Sequence, residues 1–171
     1  MTMVRRIARL RVTIGFVAGV IVLWLAQPTS RSLAVGAAIA AIGEAIRVWA
    51  AGHLEKGREV TSTGPYMFTR HPLYLGSSIV GLGFAIASAH LVAGLVVLVY
   101  LAVTLMAAIR TEEAHLTEKF GAAYPAYRSG QAVAQPRRFS MARAVRNREY
   151  RALVGLLIVL LVLALKVRST G

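Results

Sequence analysis

Gly64-Pro-Tyr-Met-Phe-Thr-Arg-His-Pro-Leu-Tyr-Leu-Gly76 leads into one apolar segment, and Glu112-Glu113 follows the next. Between the two segments lies only Ser88-Ala-His90. A connection that short makes them an antiparallel hairpin. If both are helices, each rising about 1.5 Å per residue, their far ends lie at similar depth. Arg70 and His71 then approach Glu112 and Glu113 on one side. Pro72 suits the first turn of its helix, where the missing N–H is no loss. Two signs of charge brought together at the end of a hairpin point to a ligand pocket. A structural salt bridge between Arg70 and a glutamate is the plainer alternative.

The surroundings of that hairpin are those of a membrane protein. The 171 residues are 57% hydrophobic and 16% charged. Five apolar segments stand out, at about 12–27, 33–51, 73–89, 91–109 and 152–167. A bilayer takes roughly 20 residues of helix. The expectation is an all-α polytopic membrane protein with about five transmembrane helices, the third and fifth short. The chain reads as one integral membrane domain over 1–171. Within it, 129–151 is a basic interfacial segment and 152–167 an additional transmembrane helix. The basic start, Met1 to Arg11, precedes an apolar run that lacks a small-x-small cleavage site near Trp24 to Gln27. It reads as a retained first helix. Arg110 to Phe120 continues the fourth helix past the membrane, and Gly121 stops it.

Charge sets the orientation and excludes some functions. Of twenty Lys and Arg, four lie in 1–11, four in 47–72 and nine in 110–151. Those seventeen share one side if the amino terminus is cytoplasmic, leaving Arg31, Lys166 and Arg168 outside. The net charge of +13 therefore belongs to cytoplasmic loops and anionic headgroups, and nucleic acid is not an expected partner. There is no cysteine, and the four histidines show no metal-ligand spacing, so no metal is expected.

Other polar residues carry weaker signals. Glu44 and Arg47 lie one turn apart in the second helix. Charges there are functional candidates by default. An interfacial i,i+3 pair is the bland reading, with snorkelling enough for Arg47. His53, His90 and His115 read as solvated or interfacial. Tyr124 and Tyr127 follow the Gly121 break and either cover the pocket or anchor at the headgroups. Gly15/Gly19, Gly36/Ala40 and Ser77/Gly81 have the spacing of close helix packing.

Taken together, Arg47-Val-Trp-Ala50, Val60-Thr-Ser-Thr-Gly64-Pro-Tyr66, Arg70-His-Pro-Leu-Tyr74-Leu-Gly76, Gly81-Leu-Gly83, Glu112-Glu113-Ala-His-Leu116 and Phe120-Gly121-Ala-Ala-Tyr124-Pro-Ala-Tyr127 resemble the isoprenylcysteine carboxyl methyltransferase family. They are similar, more widely, to membrane phospholipid N-methyltransferases. The resemblance covers about 40–128, which becomes a methyltransferase-like core. It suggests a bacterial inner-membrane protein with its site on the cytoplasmic face. It implies S-adenosylmethionine as donor, held by Tyr66, His71, Tyr74, Gly81, Gly83, Glu112 and Glu113. Gly81 and Gly83 would let a ligand lie against the helix, and helix packing is their plain alternative. Arg70 and Glu113 become the catalytic candidates. Arg70, Glu44 and Tyr127 are those for a lipophilic acceptor, with a carboxylate, amine or thiol as its reacting group. After Tyr127 the pattern departs: Val133-Ala-Gln-Pro136-Arg-Arg and a fifth helix stand where an apolar, proline-containing border is expected. Two other classes stay open. Sterol reductases share a similar Arg-His-Pro-x-Tyr core and use NADPH, and a non-catalytic membrane protein could keep the fold.

Overall fold

The computed structural model describes residues 3–131 and 137–170. Val133 to Pro136, part of the expected interfacial segment, lies outside the described residues. The helices are α1 (Met3–Leu25), α2 (Ser30–His53), α3 (Pro72–Ala87), α4 (Leu91–Phe120), α5 (Ala123–Arg128), α6 (Met141–Arg146) and α7 (Tyr150–Thr170). A 3₁₀ turn, Gly64–Met67, interrupts the loop between α2 and α3. No strand occurs among the described residues.

Local chemistry explains the boundaries. Thr29 and Ser32 form a capping box at the start of α2, with Ser32 N donating to Thr29 Oγ1 at 3.1 Å and Thr29 N to Ser32 Oγ at 2.9 Å. His90, expected to be solvated, caps α4 instead: its Nδ1 accepts from Ala93 N at 3.3 Å. Gly121 ends α4 in a conformation with φ +49° that favours glycine.

α2, α4 and α7 are long and apolar enough to cross a membrane, whereas the apolar part of α1 (Thr13–Leu25) and all of α3 are shorter. The 16 residues of α3 rise about 24 Å. The fifth apolar segment is longer than expected, because α7 continues to Thr170. Large apolar side chains point outward, among them Phe16, Trp24 and Leu91, each more than 70% exposed. Small residues fill the interior, including Ala40, Ala50, Ala51 and Ala87. Apolar outside and small inside is the arrangement of helices packed in lipid. The chain is an all-α integral membrane protein.

The closest packing joins α2 to α3. A Cβ on Gly43 would stand 2.7 Å from Gly76 O, and one on Gly83 would stand 2.5 Å from Gly36 O. α4 packs on α3 and α1. At one end of the bundle, Gln27 N donates to Ser88 O at 2.8 Å. Lys166 Nζ there reaches the carbonyls of Leu23, Trp24 and Ala26 at 2.6–2.9 Å. The opposite end gathers the loop before α3, the end of α4, and α5 and α6.

Candidate functional site

The hairpin of α3 and α4 brings its two motifs together as the short turn requires. His71 Nε2 lies 3.1 Å from Glu113 Oε1. Arg70 Nη1 is 3.6 Å from the same oxygen. One turn on, Tyr74 OH donates to Glu112 Oε2 at 2.6 Å. Charged and ring-bearing groups thus interlock across the helix ends. Arg70 is open to solvent, with 43% of its side chain exposed.

Beside these pairs is a cavity of about 460 Å³, within the range of small-molecule sites. Tyr66, Arg70, His71, Tyr74, Glu112 and Tyr127 all line it. Tyr124 lines it too, so the aromatic pair after Gly121 borders the pocket. Lys56, Glu59, Lys119 and His115, which the sequence did not single out for the site, join the polar wall. The 3₁₀ turn buries Tyr66, and Tyr127 OH donates to its carbonyl at 2.7 Å. Gly64 permits that turn. Its φ is +60°, and a Cβ would stand 2.6 Å from the His53 ring. His53 is itself buried, with Nδ1 3.0 Å from Trp49 O.

Burial governs the phenols of this site. The Tyr124 hydroxyl is buried beside the Glu113 carboxylate. Desolvation and then the Glu113 carboxylate push it up to about 12. Desolvation raises Tyr127 and Tyr66 as well. All three stay neutral O–H donors at physiological pH.

Four expected residues do not line this cavity: Glu113, whose Oε1 meets His71 and Arg70, and Gly81, Gly83 and Glu44. The missing Cβ of Gly81 is taken up by Leu101 of α4, and that of Gly83 by Gly36 and Ala40 of α2. Both lie at helix contacts, and Gly81 also borders an apolar space among α1, α3, α4 and α7. Glu44 is buried in α2, with Oε2 3.4 Å from Arg47 Nε. Nor does Arg47 snorkel. It also meets Glu149 Oε1 at 2.6 Å and bonds Ser77 Oγ and Leu73 O. Glu44 and Arg47 therefore belong to a buried ion cluster that ties α2 to α3 and to the start of α7.

The tail after α5 grips the cavity's loop wall. Arg146 Nη2 binds both oxygens of Glu55 at 2.9 Å, and Arg143 Nε adds a bond at 2.8 Å. Hydrogen bonding to Arg143 holds the Glu55 carboxyl below the usual range. Asn147 Nδ2 donates to Ala51 O and Leu54 O at 2.8 Å each, closing the end of α2. Arg137 pairs with Glu59 at 2.6 Å.

No curated protein and no solved structure matches the chain. The family model for phospholipid methyltransferases matches residues 14–123. That span holds α2, α3, all of α4 with the three residues after Phe120, and every pair described at the hairpin. It covers more than half of the 171 residues, and so the chain belongs to the phospholipid methyltransferase family, as a membrane methyltransferase.

Proposed function

We propose that the chain transfers a methyl group from S-adenosylmethionine to a lipophilic acceptor at the cytoplasmic membrane face. The observation that carries this reading is the pairing of His71 with Glu113 and of Tyr74 with Glu112 beside the cavity. Such a donor has an ammonium, a carboxylate, a ribose diol and an aromatic base. The cavity wall offers a partner for each: carboxylate at Glu112, cations at Arg70, Lys56 and Lys119, and rings at Tyr66, Tyr74 and Tyr127.

The donor, when bound, supplies an electrophilic methyl group on a sulfonium. The protein's part is to hold, align and dry the reactants, since methyl transfer is an in-line displacement in which alignment supplies much of the acceleration. Glu113 holds the His71 ring and Arg70 in place. Glu112 and Glu113 would hold the donor's ammonium or ribose hydroxyls, and His71 its carboxylate. Arg70, the more exposed partner, would grip an acidic acceptor bidentately. Tyr127 braces the 3₁₀ turn that covers the cavity.

We place the amino terminus and the site in the cytoplasm, because that puts seventeen of twenty Lys and Arg inside. On this reading 40–128 forms the methyltransferase core, 129–151 lies in the headgroup zone, and α7 is an added span. The test is purified protein in nanodiscs of bacterial lipid extract with methyl-labelled S-adenosylmethionine. Label entering the organic phase, abolished by Glu112→Gln with Glu113→Gln, is the expected result. Oxidation of NADPH by the same preparation, with no label transferred, would replace the reading with a reductase.

A further inference from the structure

Beside the donor cavity lies a second of about 440 Å³ that shares Leu54, Lys56, Leu73, Tyr74 and Ala108 as wall. Its far side is Arg47, Glu149, Asn147 and Thr104. A third space, about 270 Å³, shares Ser77, Tyr100 and Leu101 with the second. It is bordered by four helices: Gly19 and Val22 of α1, Phe84 of α3, Val97 of α4, and Val159 and Leu163 of α7. The second space is the most polar, with the buried Arg47–Glu149 pair in its wall, and the third is an apolar chamber among the helices.

Packed interiors hold few voids larger than a water molecule. Gly19 borders this space, and a Cβ there would meet nothing within 4 Å. Nothing polar in its wall calls for water except Ser77, Ser88 and Tyr100. Ser77 is already bonded to Leu73 O at 2.9 Å and Ser88 to Ala85 O at 2.8 Å. What fits is an apolar chain whose polar end remains among Arg47, Glu149 and Tyr74.

We propose that the three spaces are one path, and that the chamber between α1, α3, α4 and α7 takes the apolar chain of the methyl acceptor. This rests on the donor reading of the first cavity. It gives α7 a role in the site. Val159 and Leu163 border the chain chamber, and Glu149 at its entry holds Arg47 beside the polar end. Tyr100, in the wall of both inner spaces, stands where the chain passes from one to the other.

Gly19→Phe is the direct test, because Gly19 borders the chamber and a Cβ there meets nothing within 4 Å. Protein in nanodiscs is given methyl-labelled donor and alkyl acceptors from hexyl to hexadecyl, as amine, thiol and carboxylate series. Binding of S-adenosylhomocysteine is measured in parallel. The expected result is a shift of the best substrate to shorter chains. The longest should lose at least about tenfold in kcat/KM, the scale set by a single methylene misfit. Affinity for S-adenosylhomocysteine should not change. An unchanged chain-length profile overturns the proposal. If no series member is methylated, labelling by a hexadecyl diazirine decides. Label at Val97 and Leu163 that Gly19→Phe removes supports the chamber. Label confined to outward residues such as Val20 and Leu161, as bilayer lipid would give, overturns it. Failure of S-adenosylhomocysteine to bind would instead sink the donor reading, and the diazirine result stands apart from that outcome.

Discussion

Glu113→Gln and Arg70→Lys separate donor binding from acceptor positioning, and the structure sets different magnitudes for them. Glu113 Oε1 lies 3.1 Å from His71 Nε2 and 3.6 Å from Arg70 Nη1. The amide of glutamine keeps the shape and loses the charge that holds His71 and Arg70 at the cavity wall. One charged hydrogen bond is worth about 1.5–3 kcal/mol, or roughly ten- to a hundredfold in affinity. Arg70 is 43% exposed and its pair with Glu113 is long. Exposed pairs contribute about 0.2–1 kcal/mol, so lysine in its place should change donor affinity by no more than about fivefold. Lysine keeps the charge but loses the planar fork that grips a carboxylate, so turnover should fall further than binding. Isothermal titration with S-adenosylhomocysteine, beside labelled-methyl turnover, reads both variants. Should Arg70→Lys lose donor binding as badly as Glu113→Gln with the fold intact, Arg70 belongs to the donor site and the division of labour is wrong.

Other outcomes follow from single contacts. Gly64→Ala forces a side chain into φ +60° and toward the His53 ring; thermal unfolding in detergent should show a loss of at least about 1 kcal/mol. Lys166→Met frees the three carbonyls at the end of α1 and should cost about 1.5–3 kcal/mol by the same assay. Glu55 is held below its ordinary range by Arg143. Its stabilisation is therefore present above the unfolded carboxyl range and is lost as pH falls through the lower folded value. Glu55→Gln should flatten the acid limb of a stability-versus-pH curve, and an unchanged limb would show that the clasp does not titrate there. Cysteines placed by Ser30→Cys and Ser62→Cys should be labelled from the outside and the cytoplasm respectively, and the reverse would invert the topology.

The hairpin and its pairs were legible because few residues determine them. Ser88-Ala-His90 leaves no room for another path, Pro72 starts one helix, Gly121 stops the other, and depth follows from helical rise. The roles of Gly81 and Gly83 were not legible in the same way. A glycine beside a ligand and a glycine beside a helix read alike; Gly81 and Gly83 stand against Leu101, Gly36 and Ala40, and Gly81 also borders the chamber between α1, α3, α4 and α7. The cluster around Arg47 was hidden for a different reason. Its partner Glu149 lies beyond several further helices in the chain, and no local spacing connects them. The same holds for Arg143 and Arg146 on Glu55, where a basic run suited to headgroups turns part of itself inward. Lys166 looked like an outer-side charge. Its role as a cap on α1 depends on where a different helix ends.

At the centre stands the claim that the cavity beside His71, Tyr74, Glu112 and Glu113 binds a methyl donor. Titration of the purified protein in detergent with S-adenosylhomocysteine, and separately with NADPH, addresses it without needing the acceptor. The predicted result is saturable binding of S-adenosylhomocysteine that His71→Ala weakens at least about tenfold, the loss expected for a charged hydrogen bond, and no binding of NADPH. Binding of NADPH alone, or S-adenosylhomocysteine binding indifferent to His71→Ala, would contradict it.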